Sequence, residues 1–327
     1  MNATPDFLLR RPATLAEATA ALAEPGAQAL GGGTDLLPNL RRGMLRPRTL
    51  VDLSGLPTLA AVEREAGHWR FGAGVTLAAL ARDRTLAASL PALAQAAAHV
   101  AGPGHRSAAT LGGNLCQDTR CVHYNQSAWW RAAQGGCLKL DGSVCHVAPQ
   151  GKRCHAAYQG DLAAALLALD AELEIASAGA TRRCALPALY RDDGAAHLTL
   201  AAGEWITAVR VPQPAPRTRS GFVKVSERAA MDFPLAGVAV ALRLDGNALV
   251  ALAVGISGTG SCPLRLQETA PLLGRAVDDD LLAALGKLVA RQVSPMRSTV
   301  TVSNHRRLVA VVTAQRLVRE LAEGCTK

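Results

Sequence analysis

Leu30-Gly31-Gly32-Gly33-Thr34-Asp35 is the stretch on which the fold turns. A glycine turn between a strand and a helix aims unpaired backbone N–H groups and a helix N-terminus at an anion, and glycine lets a phosphate come close. The apolar run Ala27 to Leu30 reads as the strand that feeds the turn, and Thr49-Leu50-Val51-Asp52-Leu53 as the next strand. Upstream, Thr14-Leu15-Ala16-Glu17 forms a capping box that opens an alanine-rich helix. The first 55 residues therefore read as a β-α-β-like unit. A second turn, Thr110-Leu111-Gly112-Gly113-Asn114, is another candidate phosphate cradle. For either turn alone, glycine that merely tightens the chain explains the sequence equally well. The first turn is not a G-x-G-x-x-G, so a nicotinamide Rossmann domain fits poorly.

Outward from these turns, Trp69-Arg70-Phe71-Gly72-Ala73-Gly74 reads as a strand ending in a turn, followed by helices from Thr76 and from Pro91 to Ala101. Residues 116–155 show no period and read as a long loop or insertion, a kind of segment that is usually functional. Gly160-Asp161 opens an apolar helix through Leu169, and Leu173-Glu174-Ile175 resumes strand character. The proline-rich run Val211-Pro212-Gln213-Pro214-Ala215-Pro216 marks a domain boundary. Strands are expected at Phe222 to Ser226, Val238 to Leu244 and Leu249 to Ile256. Two helices follow, the first begun by Asp278-Asp279-Asp280 and the last running from about Ser303 to Glu323. The expected units are 1–55, 56–212 with an insertion at about 116–155, and 217–327.

A chain of 327 residues with 49% hydrophobic and 19% charged residues is a folded, soluble protein with a sizeable core. Aromatic residues make up 3%, which leaves few rings for stacking on bases. The start lacks a basic-then-apolar signal and no run is long enough to cross a membrane, so a reducing cytoplasm is expected. The formal charge of +9 is scattered in short pairs such as Arg41-Arg42, Arg182-Arg183 and Arg306-Arg307. Without a basic block or interleaved aromatics, nucleic-acid binding is not expected, and an acidic protein partner is the alternative.

Four of the eight cysteines crowd into the aperiodic segment, Cys121, Cys137, Cys145 and Cys154, spaced C-x15-C-x7-C-x8-C. In a reducing compartment such a set serves a metal or redox chemistry more readily than core packing. Zinc sites use tight knuckles of two cysteines, none of these four makes one, and there is no C-x-x-C redox pair. An iron–sulfur cluster accepts wider spacing, because each thiolate approaches its own corner. Spacing thus favours iron–sulfur and leaves zinc open. Cys116, directly after the Gly-Gly-Asn turn, belongs beside a bound phosphate rather than in the ligand set. His123, His146 and His155 are weaker substitutes for a thiolate, and Cys184, Cys262 and Cys325 read as isolated thiols.

Together these residues resemble the flavin-binding medium subunit of the xanthine oxidase/carbon monoxide dehydrogenase family of molybdenum enzymes, over essentially the whole chain. Leu30-Gly31-Gly32-Gly33-Thr34-Asp35-Leu36-Leu37 is similar to the family's A-G-G-T-D-L-L loop. Arg106-Ser107-Ala108-Ala109-Thr110-Leu111-Gly112-Gly113-Asn114-Leu115 is similar to its R-N-x-G-T-x-G-G-N-L loop. Gly160-Asp161-Leu162, Gly203-Glu204-Trp205-Ile206 before Val211-Pro212, and Lys224-Val225-Ser226-Glu227-Arg228 with Asp232 add further matches. Leu30, Gly104-His105, Ser107 and Ala109 depart from the usual Ala, Gln-Ile, Asn and Gly. The cysteine segment narrows the resemblance to one branch, the β subunits of 4-hydroxybenzoyl-CoA reductases. Cys116-Gln117-Asp118-Thr119-Arg120-Cys121, Tyr124-Asn125-Gln126-Ser127, Trp129-Trp130 and Cys145-His146-Val147 are similar to that branch.

The resemblance implies an α+β protein. Its FAD-binding fold would have two subdomains of the vanillyl-alcohol-oxidase/PCMH type and a cluster-binding loop insertion. A C-terminal α/β domain of antiparallel sheet and helices would follow. It implies FAD held by Leu30, Gly31, Gly32, Gly33, Thr34, Asp35, Arg106, Thr110, Gly112, Gly113, Asn114, Asp161 and Lys224. It also implies a [4Fe–4S] cluster on Cys121, Cys137, Cys145 and Cys154, and no catalytic residue in this chain. Its partners would be a molybdopterin-binding large subunit and a [2Fe–2S] small subunit, in a dimer of heterotrimers. Electrons would enter from reduced ferredoxin at the cluster and pass by way of FAD to the [2Fe–2S] and molybdenum centres. There 4-hydroxybenzoyl-CoA would lose its phenolic hydroxyl to give benzoyl-CoA. Arg120, Arg131, Lys139, Lys152 and Arg153 cluster in the insertion and read equally well as a docking patch for ferredoxin or as the solvated face of an exposed loop, and Tyr190 is a candidate to cover the flavin ring. Three readings compete with this. One is a flavin subunit of another molybdenum-dependent dehydrogenase or dehydroxylase with a different aromatic substrate. Another is a self-contained FAD oxidoreductase, for which no convincing Tyr or His base is found. The last is a zinc-stapled basic module without flavin.

Overall fold

A computed structural model of the chain describes residues 5–324, so Cys325 lies outside the described residues. The expected capping box forms: the Thr14 hydroxyl accepts from Glu17 N at 3.1 Å, and the Glu17 carboxylate accepts from Ala13 N at 2.8 Å. It starts the helix Leu15–Leu22, which crosses from β1 (Leu8–Arg10) to β2 (Ala27–Leu30). The helix Leu36–Arg41 then crosses to β3 (Thr49–Asp52). The three strands are parallel in the order β1-β3-β2, as helical crossovers require. Ala18, Leu22 and Val51 pack here with Leu56, Leu59 and Trp205, and the Trp205 indole donates to Thr19 Oγ1 at 3.2 Å.

The second sheet contains β4 (Val62–Glu65), β5 (His68–Gly72), β6 (Glu172–Ser177), β7 (Ala180–Ala185) and β8 (Trp205–Pro212). Its order is β4-β5-β8-β6-β7, antiparallel throughout. Residues 73–171, between β5 and β6, carry the second glycine turn and the cysteine segment. The expected loop at 116–155 holds one short helix, Ala128–Ala133. Its neck is closed by a two-way backbone pair between Arg120 and Ala157, 2.7 Å each way.

The third sheet, β9 (Arg219–Val225), β10 (Ala236–Asp245), β11 (Ala248–Ser257) and β12 (Leu264–Arg265), is antiparallel in the order β12-β11-β10-β9. Alternation along β10 decides what covers each face. Val238, Val240 and Leu242 join one core with the helices Asp279–Gln292 and Ser303–Glu323, while Ala239 and Ala241 join the core of the middle unit. The architecture is α+β, three sheets with helices between and outside them. Among the described residues no helix is long and apolar enough to cross a membrane.

Gly255 on β11 sets how closely the third sheet approaches the helix Leu162–Ala168. A Cβ at Gly255 would lie 2.0 Å from the Ala164 carbonyl oxygen, a backbone atom that cannot rotate away. That helix begins at Asp161, so the contact fixes part of the site described below. Gly255→Val should lower unfolding stability by about 1–3 kcal/mol, the usual cost of overpacking. A urea titration would show a lower midpoint at unchanged slope; an unchanged midpoint would mean that the sheet and helix yield freely.

Candidate functional site

The two glycine turns meet. The first approaches the chain just before the second so closely that a Cβ at Gly32 would lie 1.8 Å from the Ala108 carbonyl oxygen. A Cβ at Gly31 would lie 2.7 Å from Thr110 Oγ1, and Gly33 takes the left-handed φ of +69°. Between and around them runs a cleft of about 540 Å³. Gly31, Gly32, Gly33, Thr34, Asp35, Thr110, Gly113, Asn114, Asp161 and Lys224 all line it.

The turns differ in chemistry. In the second, Leu111 N donates to Val75 O at 2.9 Å, Gly112 N to Ala73 O at 2.8 Å, Gly113 N to Thr110 Oγ1 at 3.2 Å and Asn114 N to Thr110 O at 2.9 Å. Its N–H groups are used within the protein. In the first, the N–H groups of Gly32, Gly33 and Thr34 find no partner among the described residues. The first turn is therefore the open anion cradle, and the second is the wall it packs against. Three expected contacts lie outside the lining. Leu30 ends β2, Arg106 donates to Val100 O at 2.9 Å and Ala101 O at 3.0 Å, and Gly112 packs on Ala73.

Asn114 and Asp161 shape the inner end. Asn114 Oδ1 accepts from Leu162 N at 3.1 Å, which satisfies the first turn of the helix Leu162–Ala168. Lys224 reaches from β9 to Asp161 Oδ2 at 2.7 Å, and both side chains are almost wholly buried. Burial pushes the Asp161 carboxyl up to about 6, with Lys224 opposing it. Asp161 Oδ1 and Gln159 Oε1 are buried at the cleft without a protein partner. Open N–H groups at one place and orphaned oxygens at another suit a ligand with an anionic middle and a hydrogen-bonding ring. FAD fits that description. Gln159 escaped the sequence reading, although it directly precedes Gly160-Asp161. Tyr190 does not line the cleft: its hydroxyl donates to Leu115 O at 3.1 Å, and its ring packs edge-on against Tyr158.

Asp35 has a second role that its motif does not announce. One carboxylate oxygen accepts from Asp118 N at 3.0 Å, and the other pairs with the Arg120 guanidinium. Arg120 also donates to Asn39 Oδ1 at 2.9 Å. The first glycine turn is thus tied directly to the neck of the cysteine segment. The docking patch does not form. Arg120 and Arg131 are buried, and Lys139 turns inward to Asp118 at 2.7 Å. Arg131 donates to backbone carbonyls, among them those of Tyr124 and Arg42, each at 3.5 Å. These cations satisfy buried carbonyls and carboxylates instead of facing solvent, which leaves Lys152 and Arg153 at the surface, and Arg153 pairs with Asp192.

Cys121, Cys137, Cys145 and Cys154 are all buried and free of disulfides. Burial pushes the Cys121 thiol up, and Cys145 and Cys137 add to the shift. Burial likewise pushes Cys154 up to about 11, with Cys145 and Cys121 among the neighbours it feels. Cys121 and Cys154 pack in one apolar cluster, and among the described residues no three His, Cys, Asp or Glu side chains converge enough to hold a single metal ion. Ala156 N donates to Cys154 Sγ at 3.4 Å. His146 Nε2 is bound to Gly136 O at 2.6 Å. Cys116 lines the cleft, its thiol pushed up to about 12 by burial. Cys184 lies on β7, while Cys262 follows Ser261, whose hydroxyl donates to Cys154 O at 3.2 Å.

Residues 5–214 match the FAD binding domain in molybdopterin dehydrogenase, and residues 221–321 match the CO dehydrogenase flavoprotein C-terminal domain. The aldehyde oxidoreductase FAD-binding subunit PaoB of Escherichia coli (strain K12) is 33% identical over 291 residues, 85% of this chain and 90% of the relative. The carbon monoxide dehydrogenase medium chain of Afipia carboxidovorans is 28% identical over 287 residues, 87% of this chain and 84% of the relative. In structure, reconstituted CO dehydrogenase from Oligotropha carboxidovorans superposes with a TM-score of 0.82 at 23% identity, covering 98% of this chain and 99% of that one. Quinoline 2-oxidoreductase from Pseudomonas putida 86 gives 0.79 at 25% identity over 100% of both chains. The chain belongs to the FAD-binding medium subunits of the xanthine oxidase/carbon monoxide dehydrogenase family.

Proposed function

We propose that the chain is the electron-transfer subunit of a cytoplasmic molybdenum enzyme complex. It receives electrons from a ferredoxin and serves a molybdopterin-binding large subunit and a [2Fe–2S] small subunit. The reaction served is reductive dehydroxylation of 4-hydroxybenzoyl-CoA to benzoyl-CoA. The observation that carries this reading is the insertion itself: four buried, free thiols in a segment whose neck is clasped to the flavin cleft through Asp35, Asp118 and Arg120. A set of four free thiols without a tight knuckle suits a [4Fe–4S] cubane on Cys121, Cys137, Cys145 and Cys154 better than zinc. When bound, FAD and the cluster supply the one- and two-electron redox capacity.

The chain's own residues bind and orient. Gly32, Gly33 and Thr34 offer N–H groups to a pyrophosphate, with Gly31, Thr110, Gly112, Gly113 and Asn114 holding that cradle in place. Asp161 and Gln159 offer acceptors where the ring would lie, and Lys224 neutralises Asp161. No tyrosine lines the cleft and His105 is its one histidine, among the described residues. That scarcity of Tyr and His, with Asp161 tied to Lys224, supports an electron carrier over a self-contained oxidase. The similarity of the cysteine segment supports the dehydroxylase branch, and the three sheets support units at 1–55, 56–212 and 217–327.

The first test is anaerobic purification with iron, acid-labile sulfide, zinc and flavin determined per chain, and EPR after dithionite. The expected result is about four irons, four sulfides and one FAD with a reduced cubane signal; zinc without flavin would overturn the reading. Reconstitution with the two partner subunits should give ferredoxin-dependent loss of 4-hydroxybenzoyl-CoA, and turnover of a different substrate alone would reassign the reaction.

Two substitutions separate the sites. Gly32→Ala places a methyl against the Ala108 carbonyl and should weaken FAD binding at least about tenfold, about 1.4 kcal/mol, while iron content holds. Cys137→Ser should do the reverse, losing the cluster and keeping flavin. The buried carboxyl supplies a pH test on flavin-free protein. The Asp161 carboxyl is pushed up to about 6, so its contribution to stability is complete below its ordinary range near 3.8 and is lost as pH rises through 6. The stability of the wild type relative to Asp161→Asn should therefore fall between pH 4 and pH 7; a flat difference would place the carboxyl in a solvated setting.

A further inference from the structure

Lys139 is a buried cation that neither the flavin cleft nor the cysteine set needs for its ligands. Its side chain is 6% exposed, and Nζ donates to Asp118 Oδ1 at 2.7 Å, to Gly194 O at 2.9 Å and to Thr119 O at 3.1 Å. It also lies over the Tyr124 ring, 4.6 Å from the centroid. Two of these neighbours, Tyr124 and Gly194, lead to cysteines. Tyr124 packs in one cluster with Cys121 and Cys154. Gly194 N donates to Cys154 O at 2.9 Å. Cys137 sits in the same tight turn as Lys139, closed by Cys137 N to Leu140 O at 2.9 Å and Leu140 N to Cys137 O at 2.8 Å. On the opposite side, Asp118 lines the flavin cleft.

A neutral side chain could satisfy two carbonyls without the several kcal/mol that burying an ammonium costs. The charge itself is what the position retains. We propose that Lys139 is a potential-tuning residue: its fixed positive charge favours the reduced, more negative state of the group held by Cys121, Cys137, Cys145 and Cys154. The inference rests on reading those cysteines as cluster ligands. In the half-reaction one electron passes from a reductant such as dithionite to the cluster, which gains one negative charge with no proton taken up. A buried cation beside it stabilises the product more than the reactant, and burial protects that effect from salt screening. Asp118 carries the opposite sign at the same place, held by Lys139 and by the Tyr124 hydroxyl at 3.0 Å. The local field is therefore a matched pair, and removing either member unbalances it in a defined direction.

The test is a potentiometric titration of the anaerobically purified full chain, read by EPR, with iron and sulfide measured on every sample. Lys139→Gln should lower the equilibrium constant for cluster reduction about tenfold, which is about 59 mV for a one-electron couple. Lys139→Arg, which keeps the charge, should stay within about threefold of the wild type, and Asp118→Asn should shift the potential upward. A purely structural clasp predicts something else: shifts of one sign, or none, in both neutral variants at full iron. Either of those results overturns the inference. If Lys139→Gln loses iron, Asp118→Asn still decides the sign. Absence of iron from the wild-type chain would overturn the reading of the cysteines and this inference with it, and the iron assay alone distinguishes that failure from the other.

Discussion

The structure depends on one backbone contact, the approach of Gly32 to the Ala108 carbonyl. It brings the edge of the small parallel sheet against the wall formed by the second glycine turn. The cleft exists because these two stretches nearly touch and then diverge. Side chains cannot enter that seam, so the first turn keeps its N–H groups free only where glycine makes room for the wall behind it. Thr110 serves both sides, as the cap of its own short helix and as the atom nearest Gly31. The third sheet acts on the same seam from a distance, because Gly255 lets β11 seat on the helix whose first turn Asn114 satisfies.

Buried ion pairs hold the parts in register. Asp161 with Lys224 joins the middle unit to β9, Asp35 with Arg120 joins the first turn to the cysteine neck, and Asp118 with Lys139 sits inside that neck. Such pairs contribute little net stability, because desolvation offsets most of their attraction. Losing one partner is costly, since the other is left charged and buried. Their value lies in geometry: the three pairs hold the first turn, the inner end of the cleft and the cysteine neck at fixed positions relative to one another.

Much of the fold was legible in the sequence because its signals are local. Thr14 and Glu17 announce the first helix, Ala27 to Leu30 the strand before the cradle, and Asp278 the cap of the helix Asp279–Gln292. The cleft was legible through the family resemblance, since ten of the thirteen residues it names for flavin line the cleft. What escaped depends on long-range partners. Gln159 is an ordinary polar residue until the fold strips it of a partner. Asp35 looks like a ligand-facing acid, and only the return of the chain at Asp118 and Arg120 shows its structural use. The surface patch failed for the same reason, because composition counts charges and says nothing of which way they point.

That failure changes how the insertion is understood. Five cations in one segment suggest a sticky exterior, yet three of them are the segment's interior. With no sheet and one six-residue helix, the segment has few backbone ladders to order it. Its core is small, and four of its buried positions are thiols. Arg120, Arg131 and Lys139 supply the missing order by donating to backbone carbonyls and to acids on either side. A segment built in this way gains its shape from polar contacts that already surround the thiols. Those contacts fix the electrostatic surroundings of the thiols, so structural order and local field follow from the same few charges.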